Sequence, residues 1–329
     1  MNADASPSVA LPVQPADITA AARRIAGPVL RTPLIRLPLP GEIYAKAENL
    51  QRTGSFKLRG AFNAVSRLGE EQRARGVVTH SSGNHGQGLA RAAAMLNVPA
   101  TIVIPEGAPQ VKVERTLAQG ARVVRCGASA REREEAAQAE AEAHGLTLIP
   151  PFDHPDVIAG QGTLALEIME QLPGVRNVLV PVGGGGLISG VALALGTLAD
   201  QVKVIGVEPE LAADAAQSFQ ERRPVSWPAE LTNRTRADGV RTQQVGALNL
   251  PIILEHVHGF QTVSEEAIEA AARFYLTEAR LVAEPTGALT LAALLSLAED
   301  HPLRSSGPTV VVLTGGNADG SYLAGLLDS

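Results

Sequence analysis

Cysteine is almost absent from this chain. Cys126 is the only one in 329 residues, which excludes an intrachain disulfide framework and fits a reducing compartment. It sits in the strand-like run 122–126 and reads as a buried structural thiol, not a nucleophile. Aromatic residues are also scarce, at 3%, while 32 glycines suit close strand–helix packing in an α/β protein. Basic charge is short as well. With 28 Lys and Arg against 34 Asp and Glu, the net charge of −6 argues against a nucleic-acid partner, whose phosphates require clustered cations. No long uninterrupted apolar run occurs. The most membrane-like stretch, 178–199, contains Pro181 and a run of glycines, so a strand, a loop and a helix explain it better than a bilayer span. Residues 1–16 are rich in Ala, Pro and Ser and lack the basic and apolar regions of a signal peptide; a flexible N-terminal arm is expected. These absences predict a cytoplasmic protein without membrane contact.

What is present is alternation. The length suits two domains. Helical patterns at 17–25 (capped by Asp17), 56–68, 86–96, 110–119 and 130–144 interleave with strand patterns at 42–46, 76–80, 100–104, 121–126 and 147–149. The charged run 131–142 reads as a solvated helix face. A second series follows Pro150-Pro151: helices at 161–172 and 186–198, strands at 177–182 and 202–207, a long polar loop at 222–246, helices at 265–279 and 286–297, a strand at 309–313 and a helix at 318–327. Right-handed βαβ crossovers then give an α/β fold with parallel sheets. Two such units would face each other across a cleft suited to a small molecule.

Three strand-to-helix loops and one lysine carry chemistry. In Thr53-Gly54-Ser55-Phe56-Lys57-Leu58-Arg59-Gly60-Ala61, Lys57 lies between turn-forming residues and an opening helix. A desolvated amine there would have a lowered pKa and attack carbonyls; an exposed helix start with a solvated lysine explains the segment equally well. Gly183, Gly184, Gly185 and Gly186 join a strand to a helix. Their backbone N–H groups and the helix dipole suit a phosphate, without the lysine of a Walker loop or the spaced glycines of a dinucleotide fingerprint. In Ser81-Ser82-Gly83-Asn84-His85 the amides and the Ser81 hydroxyl suit a substrate carboxylate, Asn84 a ring hydroxyl, and Ser82 a proton transfer. His85 there fits a structural helix start better than a catalytic base. Thr314 opens the third loop, where its hydroxyl suits a heterocyclic nitrogen or an ordinary N-cap. Taken together the loops describe a site for a phosphorylated aromatic cofactor with an amine linkage, which pyridoxal phosphate (PLP) satisfies. Glu208, Ala212 and Asp214 could offer two carboxylates and a carbonyl to a divalent cation, though spacing alone fits a solvated loop as well. The pair His256 and His258 reads as structural.

From about Arg31 onward the chain resembles the PLP-dependent serine/threonine dehydratase and serine racemase family, fold type II, of tryptophan-synthase-β-like architecture. The blocks that carry the resemblance are 46–51 running into 53–61, 81–87, 157–162, 183–187, 284–287 and 314–317. It implies two doubly wound parallel-sheet domains with PLP in the cleft between them: a large domain of 17–68 and 151–329 and a small one of 69–150. It implies Lys57 as the Schiff-base lysine and Cα base, Phe56 against the cofactor ring and Asn84 at its phenolic oxygen. Gly183–Gly186 would hold the phosphate and Thr314 the pyridine nitrogen. Ser81, Ser82, Asn84 and His85 form the expected substrate set. The activity implied is loss of water and ammonia from a β-hydroxy L-amino acid, giving a 2-oxo acid. Ser82 leans towards serine racemase or threo-3-hydroxyaspartate dehydratase, since in the racemase branch a serine here re-protonates the opposite face of Cα. A noncatalytic PLP-binding protein is opposed by intact Lys57 and a full set of loops. The resemblance further implies Mg²⁺ (or Ca²⁺ or Mn²⁺) at Glu208, Ala212 and Asp214, and a homodimer. It also allows a nucleotide effector, for which the chain shows no nucleotide motif.

Overall fold

The structure is a computed structural model that describes residues 11–81, 83–108, 110–127 and 129–328. Helix α1 (Pro15–Ile25) leads into strands β1 (Leu34–Arg36) and β2 (Ile43–Ala47), then α2 (Lys57–Ser66) and α3 (Glu70–Arg75). A second group follows: β3 (Val77–Thr79), α4 (Asn84–Met95), β4 (Ala100–Pro105), α5 (Gln110–Leu117), β5 (Arg122–Cys126), α6 (Ala130–His144) and β6 (Thr147–Leu148). The chain continues through α7 (Pro155–Gln171), β7 (Asn177–Pro181), α8 (Gly186–Leu198), β8 (Lys203–Pro209), α9 (Asp214–Glu221), α10 (Ala229–Thr232) and α11 (Asn249–His256). It closes with β9 (Gly259–Val263), α12 (Glu265–Thr277), α13 (Pro285–Leu295), α14 (Pro302–Ser305), β10 (Thr309–Leu313) and α15 (Gly320–Asp328).

The strands form two sheets. One has the order β1-β2-β10-β7-β8-β9 and is parallel except for β1, which pairs antiparallel with β2 at the edge. The other has the order β5-β4-β3-β6 and is parallel throughout. Both are covered on two faces, which is why their central strands are continuously apolar. Along β10, Val310 and Val312 pack with α7 and α8, while Val311 and Leu313 pack with α12 and α13. In the smaller sheet Val77 and Ile102 face α2 and α4, whereas Val78 and Val103 face Ala137 of α6. Each such side chain contributes about 1.5–3 kcal/mol by leaving water.

Helix α7 lies between the helices that matter for the site. Gly160 meets Gly60 of α2 so closely that a Cβ would fall 2.6 Å from the Gly60 Cα. Gly190 of α8 presses on α7 in the same way, 2.4 Å from the Ile158 carbonyl oxygen. The glycines that weaken the helical pattern of 155–162 are thus what the two crossings require. The helix accordingly starts at Pro155, six residues before the expected 161, with His154 Nδ1 accepting from Asp156 N at 3.1 Å. Other expectations shift for similar reasons. Asp17 stands at the third helical position, not the cap; its carboxylate accepts from Gln14 N at 2.8 Å, since Pro15 opens α1. Val13 is buried in the main core, so packed chain begins before residue 16. The helix expected over 56–68 ends at Ser66, and Gly69 starts the separate α3. The loop expected over 222–246 contains α10 and a 3-10 turn at Asp238–Val240, and α11 and β9 form where no pattern was expected. Although α2 falls within the stretch expected to belong to the large domain, its Leu58, Ala61, Phe62 and Val65 pack into the core of the smaller sheet. Among the described residues no helix is long and apolar enough to cross a membrane.

Candidate active site

Lys57 is the first residue of α2. Its side chain keeps some accessible surface, yet its amine is packed round by protein, and this burial lowers its pKa to about 8. The amine donates to the Pro151 carbonyl at 2.9 Å and lies 5.1 Å from the centroid of the Phe56 ring. Among the described residues no carboxylate is bonded to it. A neutral amine at moderate pH is what carbonyl addition needs.

The Thr314 loop is stitched to the Lys57 loop through backbone. Phe56 N donates to Thr314 O at 3.0 Å, Gly316 N to Gly54 O at 2.9 Å, and Ser55 forms a bridge with Gly315. Asn317 Nδ2 ties this unit to both neighbours, donating to Thr53 O at 2.9 Å and to Asn84 Oδ1 at 2.8 Å. Asn84 Nδ2 in turn donates to Glu284 Oε1 at 2.6 Å. Phe56, Lys57, Asn84 and Thr314 are therefore held in one network. The Thr314 hydroxyl is buried with no hydrogen-bond partner among the described residues. An orphaned buried hydroxyl is costly unless a ligand completes it, and a heterocyclic nitrogen would.

The glycine loop joins through the segment that follows β6. Phe152 lies against it so tightly that a Cβ on Gly184 would fall 2.3 Å from the Phe152 ring, and one on Gly186 would fall 3.0 Å from the Phe152 backbone. Gly185 has φ +92°, a conformation that favours glycine, and caps α8. The four glycines thus combine a cradle with no room for side chains and a thirteen-residue helix pointing its N-terminus there. Pro151, which accepts from Lys57, is the residue before Phe152. Its neighbour Asp153 accepts from Leu248 N at 2.9 Å, fixing the segment from the other side.

His85 is buried, and its Nε2 lies 3.0 Å from the Ile149 carbonyl, which makes that nitrogen the donor. Burial and the nearby Lys57 charge drive its pKa down to about 3, so it stays neutral. It acts as a structural tie from α4, in keeping with a helix-start role. Ser81 Oγ accepts from Gly83 N at 3.4 Å. Ser82 lies outside the described residues. Glu284, Asn317, Pro151 and Phe152 had no role assigned from sequence; the first two fall in the motif blocks, while a backbone carbonyl such as that of Pro151 leaves no sequence signal. Thr242 was also missed. Its hydroxyl is buried and unpartnered, 3.3 Å from where a Gly183 Cβ would sit.

Glu208, Ala212 and Asp214 lie elsewhere, along the junction from the end of β8 to the start of α9, and Glu208 and Asp214 are close enough to interact electrostatically. Glu208 is buried and accepts from Ala215 N at 3.2 Å and Ala216 N at 2.6 Å. Both Asp214 oxygens are buried without a hydrogen-bond partner among the described residues. Burial pushes both carboxyls up, and Asp214 raises Glu208 further. Among the described residues no group of three or more His, Cys, Asp or Glu is arranged to hold a metal. Asp214, with both oxygens unpartnered among the described residues and the bonded Glu208 carboxyl beside it, nonetheless offers the hard oxygen donors that a divalent cation takes. A surface depression lined by Arg36, Pro40 and Glu278 contains none of these residues.

The comparisons with known proteins agree with this geometry. A family model described as pyridoxal-phosphate dependent enzyme matches residues 25–315. The chain is 45% identical over 316 residues to a Pseudomonas sp protein named L-threo-3-hydroxyaspartate ammonia-lyase, covering 94% of this chain and 97% of the relative. It is 41% identical over 308 residues to serine racemase of Schizosaccharomyces pombe, covering 92% and 94%. The solved structure of a threonine deaminase from T.th. matches with TM-score 0.87 and 45% identity over 93% of this chain and 99% of that one. A lysine lowered in pKa, a collision-tight glycine cradle and an orphaned hydroxyl, with relatives of this kind along nearly the whole length, mean that the chain belongs to the fold type II pyridoxal-phosphate-dependent enzymes, among the ammonia-lyases and racemases.

Proposed function

We propose that this enzyme is an ammonia-lyase that converts a β-hydroxy L-amino acid to a 2-oxo acid and ammonia. One observation carries the proposal: the Lys57 amine, without a carboxylate partner and with a pKa near 8, stands one residue along the 151–152 segment from the glycine cradle. Bound pyridoxal phosphate supplies an electron sink for the pair left when the Cα proton departs. Lys57 would hold the cofactor through its amine, and the same amine, when neutral, would take the Cα proton. Gly183, Gly184, Gly185 and Gly186 bind the phosphate through backbone N–H groups. Thr314 meets the ring nitrogen with a neutral hydroxyl, which favours elimination over chemistry that needs a charged ring. Asn84 would hold the ring oxygen, and Phe56 would flank the ring. Ser81 and the start of α4 receive the substrate carboxylate, with His85 anchoring that turn.

The ammonia-lyase relative supports threo-3-hydroxyaspartate as one candidate substrate beside serine and threonine. A panel of these three with oxo-acid release as readout tests the proposal, and release from none of them overturns it. A second activity, racemisation, is favoured by Ser82 in the sequence and by the serine racemase relative. Ser82→Ala is expected to damage D-amino-acid formation far more than elimination; equal losses reject separate bases. Glu208, Asp214 and the Ala212 carbonyl form the proposed divalent-cation site. Resemblance alone supports a homodimer and the large and small domain division, while the cytoplasmic reading rests on the sequence composition. Sedimentation with and without nucleotide tests both the dimer and an effector.

A further inference from the structure

On the side of α2 turned away from Lys57 lies a buried group of charges that the proposed chemistry does not use. Arg59 follows Lys57 by two residues, so at about 100° per residue its side chain leaves the helix on nearly the opposite face. It is fully buried. Its Nε and Nη2 donate to the two oxygens of Glu48 at 2.8 and 2.7 Å. Its Nη1 and Nη2 donate to the two oxygens of Glu167 at 2.7 and 2.9 Å. Nη1 also reaches Thr163 Oγ1 at 3.3 Å, and Nη2 the Leu30 carbonyl at 3.4 Å. Lys46 completes the balance, donating to Glu167 at 2.6 Å, Thr32 O at 2.7 Å and Gln171 at 3.0 Å. Two cations and two carboxylates leave no net charge.

Stability alone is a poor reason for such a cluster, because apolar residues of similar volume often stabilise a core as well or better. What a doubly bidentate guanidinium adds is direction: it fixes rotation and register, which apolar packing leaves loose. Helix α2 has use for that. Its N-cap, Phe56, makes no side-chain capping bond, and its first helical residue is Lys57. Glu48 follows β2 of the larger sheet, and Glu167 lies on α7, so one side chain bolts the first turn of α2 to both.

We propose that Arg59 is a positioning residue for Lys57, fixing the rotation and register of the first turn of α2 so that the amine meets the cofactor. The inference rests on Lys57 being the cofactor-bearing lysine. The test uses holoenzyme of wild type, Arg59→Gln, Arg59→Lys and, as a comparator from the same cluster but not on α2, Lys46→Met. Four quantities are read: melting temperature, bound pyridoxal phosphate, the fraction linked to Lys57 after borohydride trapping and mass spectrometry, and kcat against KM. Arg59→Gln is expected to bind the cofactor while its linked fraction and kcat fall by roughly tenfold or more, since misplacement of a reacting group by about 1 Å costs that much or more. KM should stay close to the wild-type value. Arg59→Lys should regain melting temperature without regaining the linked fraction, and Lys46→Met should lose melting temperature while keeping it. If linked fraction and kcat follow melting temperature on one line through all variants, Arg59 is merely structural and the proposal is overturned. Should Arg59→Gln not fold, Thr163→Val removes a single acceptor from Nη1; a smaller fall in linked fraction supports the proposal and a wild-type value overturns it. Wild-type holoenzyme with no trapped Lys57 overturns the assignment of Lys57 itself, a result distinct from the common line.

Discussion

Lys46 and Lys57 are both drawn away from water, eleven positions apart in the chain, and their surroundings give them opposite uses. Burial pulls both amines below the ordinary lysine pKa. At Lys46 the charges of Glu167 and Glu48 push back, and three acceptors take all its protons. At Lys57 nothing pushes back: burial acts alone, and a single carbonyl accepts. A lysine bonded to a carboxylate is kept as a cation and serves as a strut. One left without a counter-ion can shed its proton and add to a carbonyl.

The largest break in this comparison is expected from exchanging the losses. Lys57→Ala should abolish oxo-acid release and the yellow colour of the holoenzyme, whereas Lys46→Met should keep both; an enzyme assay and a visible spectrum suffice. Glu167→Gln removes the negative charge that faces Lys46 and Arg59 and turns one of the two oxygens accepting from Arg59 into a donor. Breaking a buried ion pair costs about 3–5 kcal/mol, so denaturant unfolding should show a loss of that order. The reverse change gives Lys57 a counter-ion. Phe56→Glu places a carboxylate where a ring now lies 5.1 Å from the amine, and the pH midpoint for modification of Lys57 in cofactor-free protein should rise from near 8 by about 1–3 units.

Linkage gives a smaller effect with a fixed sign. Lys57 has a folded pKa near 8 against 10.5 unfolded. Between these values the unfolded chain binds more protons, so cofactor-free protein should gain stability as pH rises from 8 towards 10.5. Lys57→Met should flatten that part of a melting-temperature profile. The smallest expected change comes from Glu208 and Asp214, a buried charge group that, unlike the Arg59 cluster, contains no cation of its own. Chelator should lower the melting temperature by a few degrees and Mg²⁺ or Ca²⁺ restore it, as for any ligand bound only by the folded state. An unchanged melting curve would reject a cation there.

Much of this was legible from local chemistry. Alternating strand and helix patterns led to the parallel sheets, because both-face burial makes β7 and β10 continuously apolar. Strand-to-helix loops drew attention to Lys57, Asn84, Gly183–Gly186 and Thr314, because small residues at helix starts leave backbone N–H groups open to a ligand. The start of α7 lies earlier than its pattern suggests because its glycines serve contacts with α2 and α8, which local pattern does not encode. Strand β9 and helix α11 escaped for a related reason: short elements at a sheet edge owe their form to neighbours more than to periodicity.

The kind of fold, the loops proposed to hold an anion and a ring, and the lysine proposed to join a carbonyl could all be read from residue type at short spacing. That Lys57 lacks a carboxylate partner among the described residues, while Lys46 and Arg59 have theirs, followed from the packing of distant segments. Glu167 stands 121 positions from Lys46 and 108 from Arg59. A pKa is set by what surrounds a group in space, and chain spacing carries no record of that.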